Sequence, residues 1–276
     1  MRVDLHIHTT ASDGDWGPEQ LVDEAKKAGI GLFSVTDHDT IANLRMTAAL
    51  AIEANLLFLP GVEICSTIKD QSFHILGYGI DGDNDVLGKL LRHNTCLMEE
   101  IDHESIKKLI GSGLAINYDE YCAYQHDPAR GGWKSLNFLI DKGFCQDINE
   151  FFAHLFTKER GISFPEFPHP SEAIAAIRAA GGLSVLAHPG SGFHGSTLEE
   201  TLDFFEREDI QGVECYHPCH NPNTTQQAVQ WCNKRGLLIT GGSDCHGGFV
   251  EGRYLGNPGL GLEQLRLGRL LDSLIR

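Results

Sequence analysis

The chain predicts an α/β fold built on a parallel sheet, closed or nearly closed as a barrel, with a helical insertion near its middle. Three observations carry this. Short apolar runs alternate with helix-like segments at both ends of the chain; the alternation stops between about residues 83 and 167; and imidazoles and carboxylates recur where the expected strands end.

In order, Arg2 to His8 reads as a strand, and Pro18 to Ala28 as a helix with proline at its start and Gly29 as its stop. Gly31 to Thr36 is a second strand and Ile41 to Ala54 a second helix. Leu56 to Cys65 and Phe73 to Ile80 read as strands three and four. The rhythm resumes with a helix at Ser171 to Ala180 and a strand at Leu183 to Ala187. It continues through Leu198 to Arg207 (helix), Gly212 to Tyr216 (strand), Thr224 to Arg235 (helix) and Leu237 to Thr240 (strand). In the interruption, helical patterns cover Val86 to Ile110, Lys134 to Asp141 and Ile148 to Phe156, and the proline-rich FPEFPHP (Phe164 to Pro170) leads back. The expected division is therefore a discontinuous barrel, 1–82 and 168–276, around an insertion at 83–167.

The composition is that of an ordinary globular protein, 41% hydrophobic over 276 residues, enough for a sizeable core. No apolar run approaches the roughly twenty residues of a spanning helix, and the N-terminus enters a strand with no signal-like segment. Eight cysteines without a C-x-x-C pair, several in apolar stretches, fit reduced thiols in a cytoplasmic protein. Twenty-two Lys and Arg against 38 Asp and Glu give a net charge of −16. That field repels polyanions and excludes duplex DNA as the expected partner. Small phosphorylated substrates or short single strands fit better, given local positive charge. Three bound divalent cations would leave about −10.

The most informative segment is the first, MRVDLHIHTTASDG. Side chains alternate along a strand, so Asp4, His6 and His8 share a face, with Asp13 shortly after. Further candidates follow: Asp37-His38-Asp39 in SVTDHDT, Glu63 in LPGVEICS, His188 after LSVLA, and Asp244 and His246 after LLITGGS. In a parallel barrel such strand ends converge on one rim. His74, in SFHILGYG, opens its strand and belongs at the opposite rim unless that strand runs antiparallel. Asp39 reads as a helix cap, while Asp4 reads either as an orienter of an imidazole or as an interior polar residue. His93, His103, His154 and His169 read as surface residues; Trp16, Trp133 and Trp231 read as core, with Trp133 placed where it could also cover a base.

DLHIHTTASDG, TDHDT, GVE, AHPG and GGSDCHG, in this order, resemble the successive motifs of the PHP (polymerase and histidinol phosphatase) family of metal-dependent phosphoesterases. The likeness covers about residues 1 to 80 and 165 to 255, and the insertion resembles that of the branch acting on nucleotide 3′,5′-bisphosphates and short oligoribonucleotides. The resemblance implies a distorted TIM-like (β/α)7 barrel with two or three divalent metal ions. His6, His8, Glu63 and Asp244 would hold one; Asp13, His38 and His246 a second; Glu63 with His74 and His188 the third. Imidazole and carboxylate ligands without thiolate suit Mn²⁺, Zn²⁺ or Fe²⁺. The implied chemistry is attack of a metal-activated hydroxide on phosphorus, with Asp244 and His217 as catalytic residues. The loop GVECYHPCH, with Glu214, Tyr216, His217 and His220, would line the substrate site.

Two departures bear on substrate. Ser191 follows AHPG where that branch carries arginine, and ARGGWKSLNFLI replaces its Arg-Pro-His run, leaving Arg130 or Lys134 to contact phosphate. The competing expectations are a phosphatase for histidinol phosphate or another small phosphomonoester, a metal-binding scaffold whose catalysis has decayed, and a metal-dependent amide or ring hydrolase.

Overall fold

The computed structural model describes residues 1–191 and 196–275. β1 (Arg2–Asp4), α1 (Pro18–Lys27), β2 (Ile30–Phe33), α2 (Leu44–Glu53), β3 (Leu57–Phe58), β4 (Gly61–Ile68) and β5 (Gln71–Tyr78) form the first part. The middle of the chain, expected as an insertion, holds α3 (Asp85–Gly111), α4 (Tyr118–Ala123), α5 (Lys134–Asp141) and the short α6 (Ile148–Glu150), which runs on as a π turn over Phe151–Leu155. The return comprises α7 (Pro170–Ala179), β6 (Leu183–Leu186), α8 (Leu198–Arg207), β7 (Gly212–Tyr216), α9 (Pro222–Arg235), β8 (Leu238–Gly241) and β9 (Leu260–Gly261). α1 begins on Pro18, and α8 and α7 open with reciprocal caps, Thr197 with Glu200 and His169 with Glu172. None of the described helices is long and apolar enough to cross a membrane.

The fold is mixed α/β, and its strands fall into two sheets rather than one continuous ladder, ordered β3-β2-β1-β9 and β4-β5-β6-β7-β8. The single strand expected over Leu56 to Cys65 is two, one in each sheet. Pro60 separates them: lacking an N–H, it cannot continue the ladder, and here its carbonyl accepts instead from Gly79 N at 2.8 Å. Isolated parallel bridges join the sheets, His38 to Glu63 on one side and Ile7 to Cys245 on the other. Asp39 N donates to Glu63 O (2.8 Å) and His8 N to Cys245 O (2.8 Å) at these seams. β5 runs antiparallel to both β4 and β6. Its early residues therefore lie at the end where the parallel strands finish, and this brings His74 to the same rim.

Core clusters line the helix–sheet layers, with Ile7, Phe33, Phe58 and Cys245 in one and Val62, Ile75, Ile177 and Val213 in another. The middle helices have their own cluster, built from Ile106, Leu109, Tyr121, Leu136, Phe138 and Phe151. Trp133 packs into it, its ring 5.5 Å from that of Phe151.

Asp39 is not the cap the sequence suggested; α2 begins at Leu44, with Asn43 before it. Instead Asp39 Oδ1 accepts from Cys65 N (3.1 Å) and from Asn94 Nδ2 on α3 (2.7 Å), and Asn94 also donates to Cys65 O (2.9 Å). Asn94 is fully buried, so this polar knot fastens the insertion's long helix to β4. Asn94→Ala is expected to destabilise the protein by about 2 kcal/mol, because it strips a buried carboxylate of its partner. A urea midpoint that stays at the wild-type value would show that α3 is held by its apolar face alone.

Candidate metal centre

The site lies where β1, β2, β6, β7 and β8 give way to loops, with Glu63 inside β4 and His74 inside β5. Glu63 is its middle. Its Oε2 lies 3.0 Å from His6 Nε2, 3.2 Å from His8 Nε2 and 3.3 Å from His38 Nδ1; its Oε1 lies 3.1 Å from His74 Nδ1 and 3.0 Å from His188 Nε2. Asp244 Oδ1 faces His8 Nε2 at 3.1 Å and His6 Nε2 at 3.4 Å, and Asp13 Oδ2 faces His246 Nε2 at 3.4 Å. All nine residues expected at the rim thus gather there.

Local structure explains how. The backbone of Gly242 passes so close to the start of the site strand that a Cβ there would meet His6 N and Cβ at 2.4 Å, so only glycine lets β8 press against His6. Cys245 points into the core while Asp244 and His246 face the site. Three site-bordering residues that are not glycine hold positive φ: Asp39 (50°), His188 (27°) and Asp244 (51°). Such conformations cost about 1–3 kcal/mol each and persist where surrounding bonds over-determine them.

The tautomers follow from the neighbours. His6 Nδ1 donates to Glu214 Oε1 at 2.9 Å, which leaves Nε2 facing Glu63 and Asp244. Glu214 Oε2 also accepts from His188 N at 2.8 Å, so one carboxylate orients two of the expected ligands. His246 Nδ1 donates to Asp244 O (2.7 Å), freeing Nε2. His217 Nδ1 accepts from Cys219 N (3.1 Å); a backbone N–H only donates, so the ring's proton sits on Nε2, directed at Asp244 Oδ2 3.3 Å away. His220 donates through Nδ1 to Cys215 O and accepts Gly190 N at Nε2, each at 3.0 Å, which makes it a tie between two rim loops.

Hydrogen bonds satisfy this shell only in part: His6 Nε2 and His188 Nε2 each bond Glu63 at 3.0 Å. Both ring nitrogens of His8 are buried and neither forms an aligned hydrogen bond, although Nε2 has carboxylate oxygens on two sides. His6, His8, Glu63 and Asp244 bring four donor atoms within 4.8 Å of one another, as do His8, Asp13, His38 and His246. A divalent cation fits this donor set, and protons do so poorly. Burial, set against the attraction of Glu63, holds the His38 imidazole down at about 3, and burial likewise lowers His246 and His188. His6 differs. Burial opposes its charge, but Glu63 and Glu214 outweigh this and push it up to about 10. Cys65, near His38, stays a neutral thiol, because burial lifts it well above the usual range.

Not every expected substrate residue comes to the rim. His217 is there, 5.2 Å from His188 between ring centres, and Ser191 is close by, its Oγ 3.5 Å from Cys219 Sγ. Arg130 instead commits its guanidinium to Asp141 (2.7 and 2.8 Å) and Tyr124. Lys134 donates to Cys122 O and lies over the Tyr121 ring. Both are thus engaged within the insertion. Asp4 orients no ring: its carboxylate accepts from Ser243 N (2.9 Å) and Gly256 N (2.7 Å). His93 and His154 are exposed; His103 is half-buried and bonded to Tyr118 OH, and His169 caps α7.

Arg253 escaped the sequence reading, and Glu214, expected there to line the substrate site, instead orients His6 and His188. Glu214 had a visible signal, since Gly212-Val213-Glu214 repeats the Gly61-Val62-Glu63 tripeptide on another strand. Arg253, whose Nη1 pairs with Asp244 Oδ2, had none: it lies in a glycine-rich loop nine positions beyond its partner.

A rim of imidazoles and carboxylates at the strand ends of a mixed α/β fold defines a metal-dependent hydrolase. The chain belongs to the PHP domain family, whose model matches residues 4–154 and so extends through most of the insertion. Similar curated proteins include a 3′,5′-nucleoside bisphosphate phosphatase of Chromobacterium violaceum, 29% identical over 92% of this chain and 90% of that protein. A 5′-3′ exoribonuclease of Haemophilus influenzae is 28% identical over 89% of this chain and 90% of its own length. Among solved structures, a metal-dependent phosphoesterase from Bifidobacterium adolescentis superposes with a TM-score of 0.80 at 27% identity, covering 92% of this chain and 91% of its own. A Chromobacterium violaceum structure described as an amidohydrolase, with bound sulfate and no metal, gives 0.81 at 27% identity over 100% and 98%. The reaction class is phosphoester hydrolysis.

The charge state of His6 makes a measurable expectation. Below about pH 6.5 its ion pairs contribute fully to the stability of the metal-free protein, and the contribution is lost as pH rises through about 10. A cation taking Nε2 displaces that proton, so loading near neutral pH releases about one proton from His6, while the already neutral His38, His188 and His246 release none. Calorimetric titration of metal in buffers of different ionisation enthalpy counts the protons; a count of zero would remove His6 from the ligand set.

Proposed function

We propose that the protein removes phosphate from small nucleotides, as a 3′,5′-bisphosphonucleotide phosphatase or as a 5′-3′ exonuclease on short oligoribonucleotides. One observation carries the reading. Five imidazole nitrogens converge on the Glu63 carboxylate beside Asp244 and Asp13, a donor set for adjacent divalent cations, in a chain whose curated relatives bear nucleotide phosphatase and exoribonuclease names. In this reading His6, His8, Glu63 and Asp244 hold one ion, Asp13, His38 and His246 a second, and Glu63 with His74 and His188 a third. The number and identity of the ions, Mn²⁺, Zn²⁺ or Fe²⁺, belong to the same proposal.

The fold reading extends accordingly. We read the two sheets as halves of one distorted (β/α)7 barrel, supported by the bridges His38–Glu63 and Ile7–Cys245, and residues 83–167 as an inserted subdomain, supported by its separate hydrophobic cluster.

Divalent cations at this rim supply Lewis acidity to the phosphate oxygens and lower the pKa of a nearby water. The protein's own groups do the rest. Glu214 and the carbonyl of Asp244 fix the His6 and His246 rings with Nε2 inward. His217 holds its proton on Nε2 at the rim and delivers it to the oxygen that leaves phosphorus. Asp244 accepts that N–H in the resting state and so keeps the ring aimed.

Purified protein loaded with manganese, zinc or iron is expected to release phosphate from nucleoside 3′,5′-bisphosphates, to stop in chelator and to recover on metal return. Asp244→Ala or His8→Ala should reduce kcat by about a thousandfold while far-UV circular dichroism keeps its wild-type form. A folded variant with wild-type turnover would overturn the site. A dominant rate on histidinol phosphate would move the substrate to an amino-alcohol phosphate. Bound metal with no turnover on any phosphoester would make the protein a scaffold.

A further inference from the structure

The loop after His246 is clamped at both ends by carboxylates that do not belong to the metal-type cluster. At its start, Gly248 N donates to both oxygens of Asp15 (2.9 and 3.0 Å). At its end, Gly256 N donates to Asp4 Oδ2 (2.7 Å), while Asp4 Oδ1 accepts from Ser243 N (2.9 Å) just before the site residues. Between the clamps Phe249 packs against the insertion's cluster, so tightly that a Cβ on Gly131 would meet it at 2.6 Å. Two ion-dipole ties and an aromatic anchor thus fix a loop that would otherwise be free, and that loop carries Arg253.

Arg253 stands at the rim with its side chain 29% exposed and one guanidinium nitrogen paired with Asp244 Oδ2. Among the described residues it is the Lys or Arg side chain paired with a carboxylate of the cluster. The two cations the sequence offered for phosphate are spent elsewhere, Arg130 on Asp141 and Lys134 on Cys122 O. Asp13, Glu63, Glu214 and Asp244 bring negative charge that repels a phosphate dianion until cations offset it. A guanidinium has five N–H groups; pairing with Asp244 through one leaves the rest of the fork for a bidentate hold on phosphate.

We propose that Arg253 binds a phosphate group of the substrate, replacing the arginine contacts that Ser191 and the ARGG segment do not provide. The inference rests on the phosphoesterase reading above. Asp4 and Asp15 are positioning residues in it: they hold the loop so that the guanidinium is in place before substrate arrives.

The test compares wild type, Arg253→Ala and Arg253→Lys, each loaded with the same metal, for KM, kcat, inhibition by inorganic phosphate and metal content. Arg253→Ala is expected to raise KM and the phosphate inhibition constant together by about ten- to a hundredfold with metal content unchanged. Arg253→Lys should recover part of this, since an ammonium keeps the charge without the fork. Unchanged KM and phosphate inhibition would overturn the proposal. So would a loss that tracks altered metal content, which would make Arg253 a counter-ion for Asp244. If wild type released phosphate from no ester, the reaction reading would fall, and calorimetric titration of inorganic phosphate would still decide. Weaker binding to the Ala variant supports Arg253, and equal binding refutes it.

Discussion

Everything at the rim depends on one unfavourable arrangement, the meeting of five imidazole nitrogens on the two oxygens of Glu63. Five rings crowd two oxygens: His6 and His188 hydrogen-bond Glu63 at 3.0 Å each, and electron pairs in this shell that no proton or cation separates repel at such distances. In the metal-free protein a proton on His6 relieves part of this, which is why Glu63 and Glu214 drive that ring up to about 10. One proton cannot serve every donor: His8 keeps both nitrogens without an aligned partner. The fold therefore gathers more donor atoms than the protons present can serve.

Holding such donors together costs free energy, and the means are visible. His188 and Asp244 sit at positive φ, and each backbone is tied at the site: His188 N donates to Glu214, and the carbonyl of Asp244 accepts from His246. The carboxylates divide their labour by what they face. Glu63, Asp13 and Asp244 face ring nitrogens. Asp37 takes Thr9 N (2.6 Å), Thr9 Oγ1 (2.7 Å) and Ser12 Oγ (2.7 Å), tying the loop between His8 and Asp13. Asp4, Asp15 and Asp39 likewise accept from backbone N–H groups of neighbouring loops. Part of the chain's acidity is thus structural wiring around the site, not only ligand charge.

How much of this could be read from the sequence follows the range of the forces involved. Periodicity and end signals are local, so α5, α8 and β7 begin and end where the pattern placed them. The nine rim residues were legible because strand ends converge by topology, and their types betray their chemistry. What the sequence hid is set by tertiary geometry. The break at Pro60 moved β4 to the second sheet, because a missing N–H ends one ladder and frees the chain to start another. His74 looked misplaced because direction within a sheet is invisible until partners are known; β5 turned out antiparallel. Asp39 resembled a cap by its neighbours along the chain, whereas its real partner, Asn94, comes from a helix far away in sequence.

The same distinction separates reaction class from substrate. The hydrolytic rim is made by strand ends, whose positions the sheets fix together. Substrate contacts come from loops, whose reach depends on what anchors them. Arg130 lies beside a segment that touches the rim, for Gly132 N donates to Asp13 O at 2.8 Å, yet its side chain turns back to Asp141. Arg253 lies in a loop that no motif marks, yet two carboxylate clamps and Phe249 aim it at Asp244. Residues 83–167 brace the Arg253 loop through the contact of Gly131 with Phe249. Under the proposal that Arg253 holds phosphate, this segment therefore acts on the substrate contact by positioning its neighbour, without lending a side chain of its own.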